Sequence, residues 1–132
     1  GTFGGNGVSM SAANAVLDIL NETPVLKNLS IRGKRLKEGM DKILSEANLP
    51  HQMCGHPNIQ GFLITENKVQ EVRDLAHSDD AMYEKIMDHM FDRGIWAESD
   101  PREPWFLCAS HTEEIIDETL NIFQDSVQAA IK

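Results

Sequence analysis

The stretch His51-Gln52-Met53-Cys54-Gly55-His56-Pro57-Asn58-Ile59-Gln60-Gly61-Phe62-Leu63-Ile64-Thr65 decides the fold. It predicts two short strands, His51 to His56 and Ile59 to Thr65, joined at a Pro57-Asn58 turn. Side chains alternate along a strand, so Phe62 and Ile64 fall on one face of the second strand. Helical patterns flank this pair on both sides. Upstream, Thr23-Pro24 predicts an N-cap followed by proline at the first helical position. The helix it opens runs to about Ala47, with Leu29, Leu36, Met40, Ile43 and Leu44 on one face. Gly33 and Gly39 weaken it locally, and Asn48 to Pro50 end it. Further upstream, Val8 to Asn21 is apolar nearly all round, the pattern of a helix buried on most sides.

Downstream, Val69 to Ala76 predicts a short helix, and Ser78 or Asp79 caps a longer one over Ala81 to Arg93. There Met82, Tyr83, Ile86, Met87, Met90 and Phe91 make a helical stripe, and Gly94 stops it at the C′ position. Ile95 to Ala97 and Trp105 to Ala109 read as strands. Ser110 and Glu113 have capping-box spacing. The final helix follows, with Ile115, Ile116, Leu120, Phe123, Val127 and Ile131 along one face. The expected fold class is α+β: a small antiparallel sheet with helices packed on one side, preceded by a long helix.

The chain has 132 residues, of which 41% are hydrophobic, enough for one domain with one core. Net charge is −9, which disfavours nucleic acid and anionic membranes as partners. No apolar run is long enough to cross a membrane, and no basic-then-apolar leader opens the sequence. Cys54 and Cys108 are too few for a disulfide scaffold, which points to a cytoplasmic location. A start inside a glycine-rich motif, at Gly1, is the pattern of a piece cut from a longer chain.

That motif is Gly1-Thr2-Phe3-Gly4-Gly5-Asn6-Gly7. A glycine-rich loop entering a helix N-terminus offers backbone N–H groups and partial positive charge, and so a place for a phosphate. Thr2 adds a hydroxyl donor. On pattern alone the plainer reading is a flexible tail.

The loop and the small-residue run Val8-Ser9-Met10-Ser11-Ala12-Ala13 resemble the Gly-Thr-Phe-Ser-Gly-Asn-Pro segment and following helix of the class-III aminotransferase family. Asp92-Arg93-Gly94-Ile95-Trp96 resembles the family's Arg-Gly-Val-Tyr turn from helix to strand. Phe106 to Asp117, with its Ser110-His111-Thr112 corner, resembles the family's closing strand and terminal helix. The glutamate-1-semialdehyde aminomutase branch is the nearest fit. The resemblance implies the C-terminal segment of a fold-type I enzyme using pyridoxal 5′-phosphate (PLP). Residues 1–22 would close the large domain, and residues 23–132 would form the small C-terminal domain. It further implies a homodimer acting on a small amino substrate. Gly1 and Thr2 would then contact the cofactor phosphate of the other subunit, and Glu103 would line the substrate pocket.

Departures from the family pattern are visible. Gly7 stands where proline is usual, and Pro104 and Trp105 replace small residues beside Glu103. Arg102 is out of register with the arginine that many members use for a substrate carboxylate. The resemblance places the Schiff-base lysine and the acid facing the pyridinium nitrogen upstream. Lys27, Lys34, Lys37 and Lys42 lie on a polar helical surface, so the isolated chain is expected to hold no catalytic residue and to be inactive. Two other readings compete. His51, Cys54 and His56, with Cys108 and His111, are metal-ligand types, but their spacings match no common zinc module, so no metal is expected. A free-standing α+β binding or interaction module would also account for the missing catalytic groups.

Overall fold

In the computed structural model, which describes all 132 residues, the chain forms four α-helices and a three-stranded antiparallel sheet. Helix α1 spans Gly7–Glu22 and α2 spans Val25–Glu46. Strands β1 (His51–His56) and β2 (Ile59–Ile64) form the hairpin that the opening stretch predicts. A 3-10 helix at Val72–His77 precedes α3 (Asp80–Phe91), then come β3 (Trp105–Phe106) and α4 (Glu113–Ala130). The sheet order is β1-β2-β3.

The hairpin register pairs Met53 with Phe62 and His51 with Ile64, which puts those side chains on one face. On that face α4 lies between α2 and α3. Phe62 is the hub: its ring stands 4.9 Å from Tyr83, 5.4 Å from Phe123 and 6.1 Å from Trp105, in tilted and edge-on contacts. Leu36, Met40 and Leu44 of α2, Ile86 and Met90 of α3, and Ile116 and Val127 of α4 complete the core. Burial of each contributes about 1.5–3 kcal/mol.

The two glycines of α2 act as contact points. A Cβ on Gly33 would collide with the carbonyl of Pro57, so this glycine lets the helix sit against the hairpin turn. The buried Gln60 amide fastens the same spot, donating to the Gly33 carbonyl at 3.0 Å and to the Pro57 carbonyl at 2.8 Å. A Cβ on Gly39 would overlap the side chain of Leu120 on α4.

Five local expectations shift, each for a visible reason. Thr23 closes α1 instead of opening α2, because its hydroxyl donates back to the Ile19 carbonyl at 2.6 Å; Pro24 takes the N-cap position. The helix expected over Val69 to Ala76 is only the 3-10 turn. The Gln52 side chain donates to the Val69 carbonyl and accepts from the Val69 N–H, taking the groups a helix would use. Ile95 to Ala97 pairs with no strand. Instead Ile95 N–H donates to Met90 O and Gly94 N–H to Phe91 O, a Schellman closure with Gly94 at φ +91°. The strand expected to reach Ala109 pairs only through Trp105 and Phe106. Helix α4 starts two residues later than the Ser110–Glu113 box implies. A turn at 108–111 comes first, and Thr112 caps the helix by accepting from Ile115 N–H.

Replacing Gly33 with alanine is therefore expected to destabilise the chain by about 2 kcal/mol, since overpacking costs more than the gain in helix propensity. Urea unfolding of the variant checks this. A stability equal to or above that of the parent would contradict the close-contact account.

Candidate functional site

The amino-terminal loop is shaped by Asn6. Its side-chain carbonyl accepts from Val8 N–H at 3.0 Å and Ser9 N–H at 3.3 Å, while its backbone carbonyl accepts from Met10 N–H at 2.9 Å. The N-terminal amides of α1 are thus capped from within the chain, and the helix end is less open to an anion than its sequence suggests. The donors left over sit one turn earlier. Gly4 N–H bonds to the Gly1 carbonyl at 2.9 Å and Asn6 N–H to the Phe3 carbonyl at 3.1 Å, folding residues 1–6 into tight turns. The Thr2 hydroxyl and the Thr2, Phe3 and Gly5 amides have no partner in the chain, and all of these residues are exposed. One hydroxyl and a few free amides suit one side of a phosphate group.

Helix α1 carries this loop away from the core. None of its residues is buried, and it touches only α2. Val8 is 80% exposed, and Met10, Val16, Leu17 and Ile19 are about half exposed. Apart from its contact with α2, the all-round apolar pattern therefore has no partner within these 132 residues.

Glu103 lies far along the chain in the loop between α3 and β3. That loop is built from polar side chains closing on their own backbone. Glu98 Oε1 accepts from the N–H groups of Ser99 and Asp100. Asp100 binds Arg102 through two parallel 2.7 Å hydrogen bonds, and the guanidinium holds the Asp100 carboxyl below its usual range. Arg102 is committed to this fork, so its planar donor face is turned to Asp100. Glu103 N–H donates to the Asp100 carbonyl at 3.0 Å. The Glu103 carboxylate has no partner in the chain, and the residue is exposed. Trp105, which stands where small residues are usual, turns its ring into the core and is 8% exposed.

The structure does not bring Thr2 and Glu103 together: α1 contacts α2 alone, and the Glu103 loop belongs to the sheet side of the molecule. The three histidines of metal-ligand type are each engaged elsewhere. His51 sits between Asp41 Oδ1 at 3.0 Å and the Leu49 carbonyl at 2.8 Å. His56 Nδ1 accepts from Asn58 N–H, and His111 Nδ1 accepts from Cys108 N–H at 2.9 Å. No group of three or more His, Cys, Asp or Glu converges on one point. Of the four lysines of α2, Lys27, Lys34 and Lys42 are exposed, the last two paired with Glu38 and Glu46, and the half-buried Lys37 donates to the Gly55 carbonyl at 2.5 Å.

Sequence reasoning missed two residues that hold this region. Arg32 on α2 donates to the carbonyls of Ala109 at 3.1 Å and His111 at 2.8 Å, fixing the turn ahead of α4. Tyr83 was read only as part of a stripe, yet its hydroxyl donates to the Glu98 carbonyl at 2.8 Å and accepts from Trp105 Nε1–H at 3.0 Å. A single hydroxyl-bearing residue within an otherwise apolar stripe was the one available signal.

The fold is one found in transaminases. It superimposes with a TM-score of 0.77 on the FumI protein of Sphingopyxis sp. MTA144, a PLP internal aldimine form, at 22% identity over 92% of this chain and 27% of that one. An omega-transaminase from Sphaerobacter thermophilus gives a TM-score of 0.71 at 17% identity, covering 86% of this chain and 26% of that one. The class-III aminotransferase family model matches residues 1–127, and the chain belongs to that family. Glutamate-1-semialdehyde 2,1-aminomutase of Thermus thermophilus is 29% identical over 128 residues, which is 96% of this chain and 30% of that protein. The chain thus spans about a third of the length of the curated relative it matches.

Burial pushes the Tyr83 phenol up to about 12, against a smaller opposing effect of the Trp105 N–H bond. The folded state holds this proton more tightly than the unfolded state, whose phenol loses it near pH 10. The stabilisation is whole below pH 10 and is lost as pH rises toward 12, an effect on the order of 3 kcal/mol. Stability measured from pH 8 to 12 should fall more steeply for the parent than for Tyr83→Phe; parallel curves would contradict the assignment.

Proposed function

We propose that this chain is the C-terminal part of a PLP-dependent aminotransferase or aminomutase of the glutamate-1-semialdehyde aminomutase type, moving an amino group on an amino acid or amino-aldehyde. Residues 1–22 end its large domain and residues 23–132 form its small domain. The observation that carries this reading is the unpartnered Thr2 hydroxyl with its neighbouring free amides, set immediately before a capped helix, in a chain that matches the family from its first residue. Gly1 and Thr2 fit one side of the cofactor phosphate, with the rest of the grip supplied by other parts of the enzyme. The apolar side chains of α1 support contact with its own large domain and with a second subunit of a homodimer. Two unpaired cysteines, one of them exposed, support a cytoplasmic home.

When bound, PLP supplies an electron sink for the carbon that bears the amino group. The residues of this chain then act around it. Thr2 donates to a phosphate oxygen, a charge-assisted bond stronger than a neutral one. Glu103, whose carboxylate is free of internal partners, accepts from the substrate amine and orients it. The Arg102 fork is filled by Asp100, so recognition of a substrate carboxylate falls to other residues. The Schiff-base lysine and the acid facing the pyridinium nitrogen come from the large domain. The isolated chain, with Lys27, Lys34 and Lys42 of α2 exposed and Lys37 bonded to the Gly55 carbonyl, contributes binding and positioning alone.

In the full-length enzyme, Thr2→Val is expected to weaken PLP retention roughly tenfold, the size of one hydrogen bond to a charged group. Dialysis followed by cofactor absorbance measures it, and undiminished retention contradicts the proposal. Glu103→Gln should raise KM for the amino substrate severalfold with PLP retention unchanged; an unaltered KM removes Glu103 from the site.

A further inference from the structure

We infer that Tyr83 is a positioning residue for the loop that carries Glu103, its single hydroxyl tying the two ends of residues 98–105 together. The inference rests on the proposed role of Glu103.

One oxygen does both jobs. It donates to the Glu98 carbonyl at 2.8 Å, partway along the connection from α3, and accepts from Trp105 Nε1–H at 3.0 Å, where the loop enters β3. Tyr83 itself is fixed: it is 1% exposed, lies on α3 and packs against the Phe62 ring at 4.9 Å. Trp105 is held edge-on by Phe62 and Phe123. The anchor point is therefore part of the core, while the loop lies at the surface. Between the two anchors the loop keeps its own shape. Glu98 Oε1 caps Ser99 and Asp100, Asp100 grips Arg102, and Glu103 N–H returns to the Asp100 carbonyl. A loop stiff within itself and pinned at both ends by one hydroxyl turns as a unit when that hydroxyl goes. Glu103 lies two residues from the Trp105 anchor. A small displacement of a substrate-orienting group is costly to a reaction far beyond its cost in stability.

The test uses the full-length holoenzyme, with L-alanine, L-glutamate and benzylamine as amine probes and the half-reaction followed at the cofactor's absorbance. Four forms are compared: parent, Tyr83→Phe, Glu103→Gln and the double variant. Tyr83→Phe keeps the ring and its packing. It is expected to raise the apparent KM about fivefold with little change in the limiting rate. The double variant should match Glu103→Gln alone, because a loop without its carboxylate has nothing left to position. Multiplying effects in the double variant would show a merely structural tyrosine and overturn the inference. So would an unchanged KM in Tyr83→Phe beside a raised KM in Glu103→Gln. A silent Glu103→Gln, by contrast, sinks the reading of Glu103 and the inference with it. Hydrogen exchange supplies a second readout independent of turnover. Amides of Ser99, Asp100, Arg102 and Glu103 should exchange faster in Tyr83→Phe, and equally in Trp105→Phe, while those of α3 keep their protection. Unchanged exchange in the loop overturns the inference whatever the kinetics show.

Discussion

Everything from α2 to α4 is organised around the burial of Phe62. Its ring meets α3 through Tyr83, α4 through Phe123 and the last strand through Trp105, so one side chain joins the sheet to two helices. Edge-on aromatic contacts are directional, and each adds about 0.5–1.5 kcal/mol beyond the area buried. Directionality matters more here than the sum. It fixes how Tyr83 and Trp105 stand, and those two residues carry polar atoms out of the core toward the surface loop. A core of aliphatic side chains would hold the layers together equally well but would leave the loop without an anchor.

The second face of the sheet shows a different economy. A three-stranded sheet covered by helices on one side leaves the other to be capped by whatever chain is at hand. The Gln52 side chain does this by imitating a strand: its amide gives and receives one hydrogen bond with the backbone of Val69. Leu63 on the same face is 5% exposed as a result of such cover. The residues that build this cover mix polar and apolar side chains on irregular backbone, and so carry no periodic signature.

That contrast explains which parts of the architecture were legible from residues alone. The α2, α3 and α4 stripes and the β1–β2 hairpin follow from apolar spacing, which the core enforces, and they were readable. Elements whose ends depend on a side chain reaching back to the backbone were not. Thr23 bonds to Ile19, Gln52 to Val69, and Arg32 to Ala109 and His111, and each moved a boundary or replaced an element. Gly33 and Gly39 looked like weak points because helix propensity is local, whereas their value lies in what approaches them. For the candidate site, Thr2 and Glu103 were proposed through family likeness, and Tyr83 was not, since its two hydrogen bonds exist only in three dimensions.

The separation of Thr2 from Glu103 carries its own logic. The two residues sit on parts of the chain that do not touch, one in the turns ahead of a helix with no buried residue and the other on a loop stapled to the core. An arrangement of that kind builds no pocket from a single copy. Under the proposed reading it has a physical purpose. On that reading, a phosphate-gripping loop and a substrate-orienting loop would meet around a cofactor only when large domain, small domain and second subunit were assembled. Free donors at Thr2 and a free carboxylate at Glu103 cost nothing while they face water, because solvent satisfies both. Their value appears only when assembly removes that water. The same assembly would cover the apolar side chains of α1, so hydrophobic burial and the completion of the polar site would be one event rather than two.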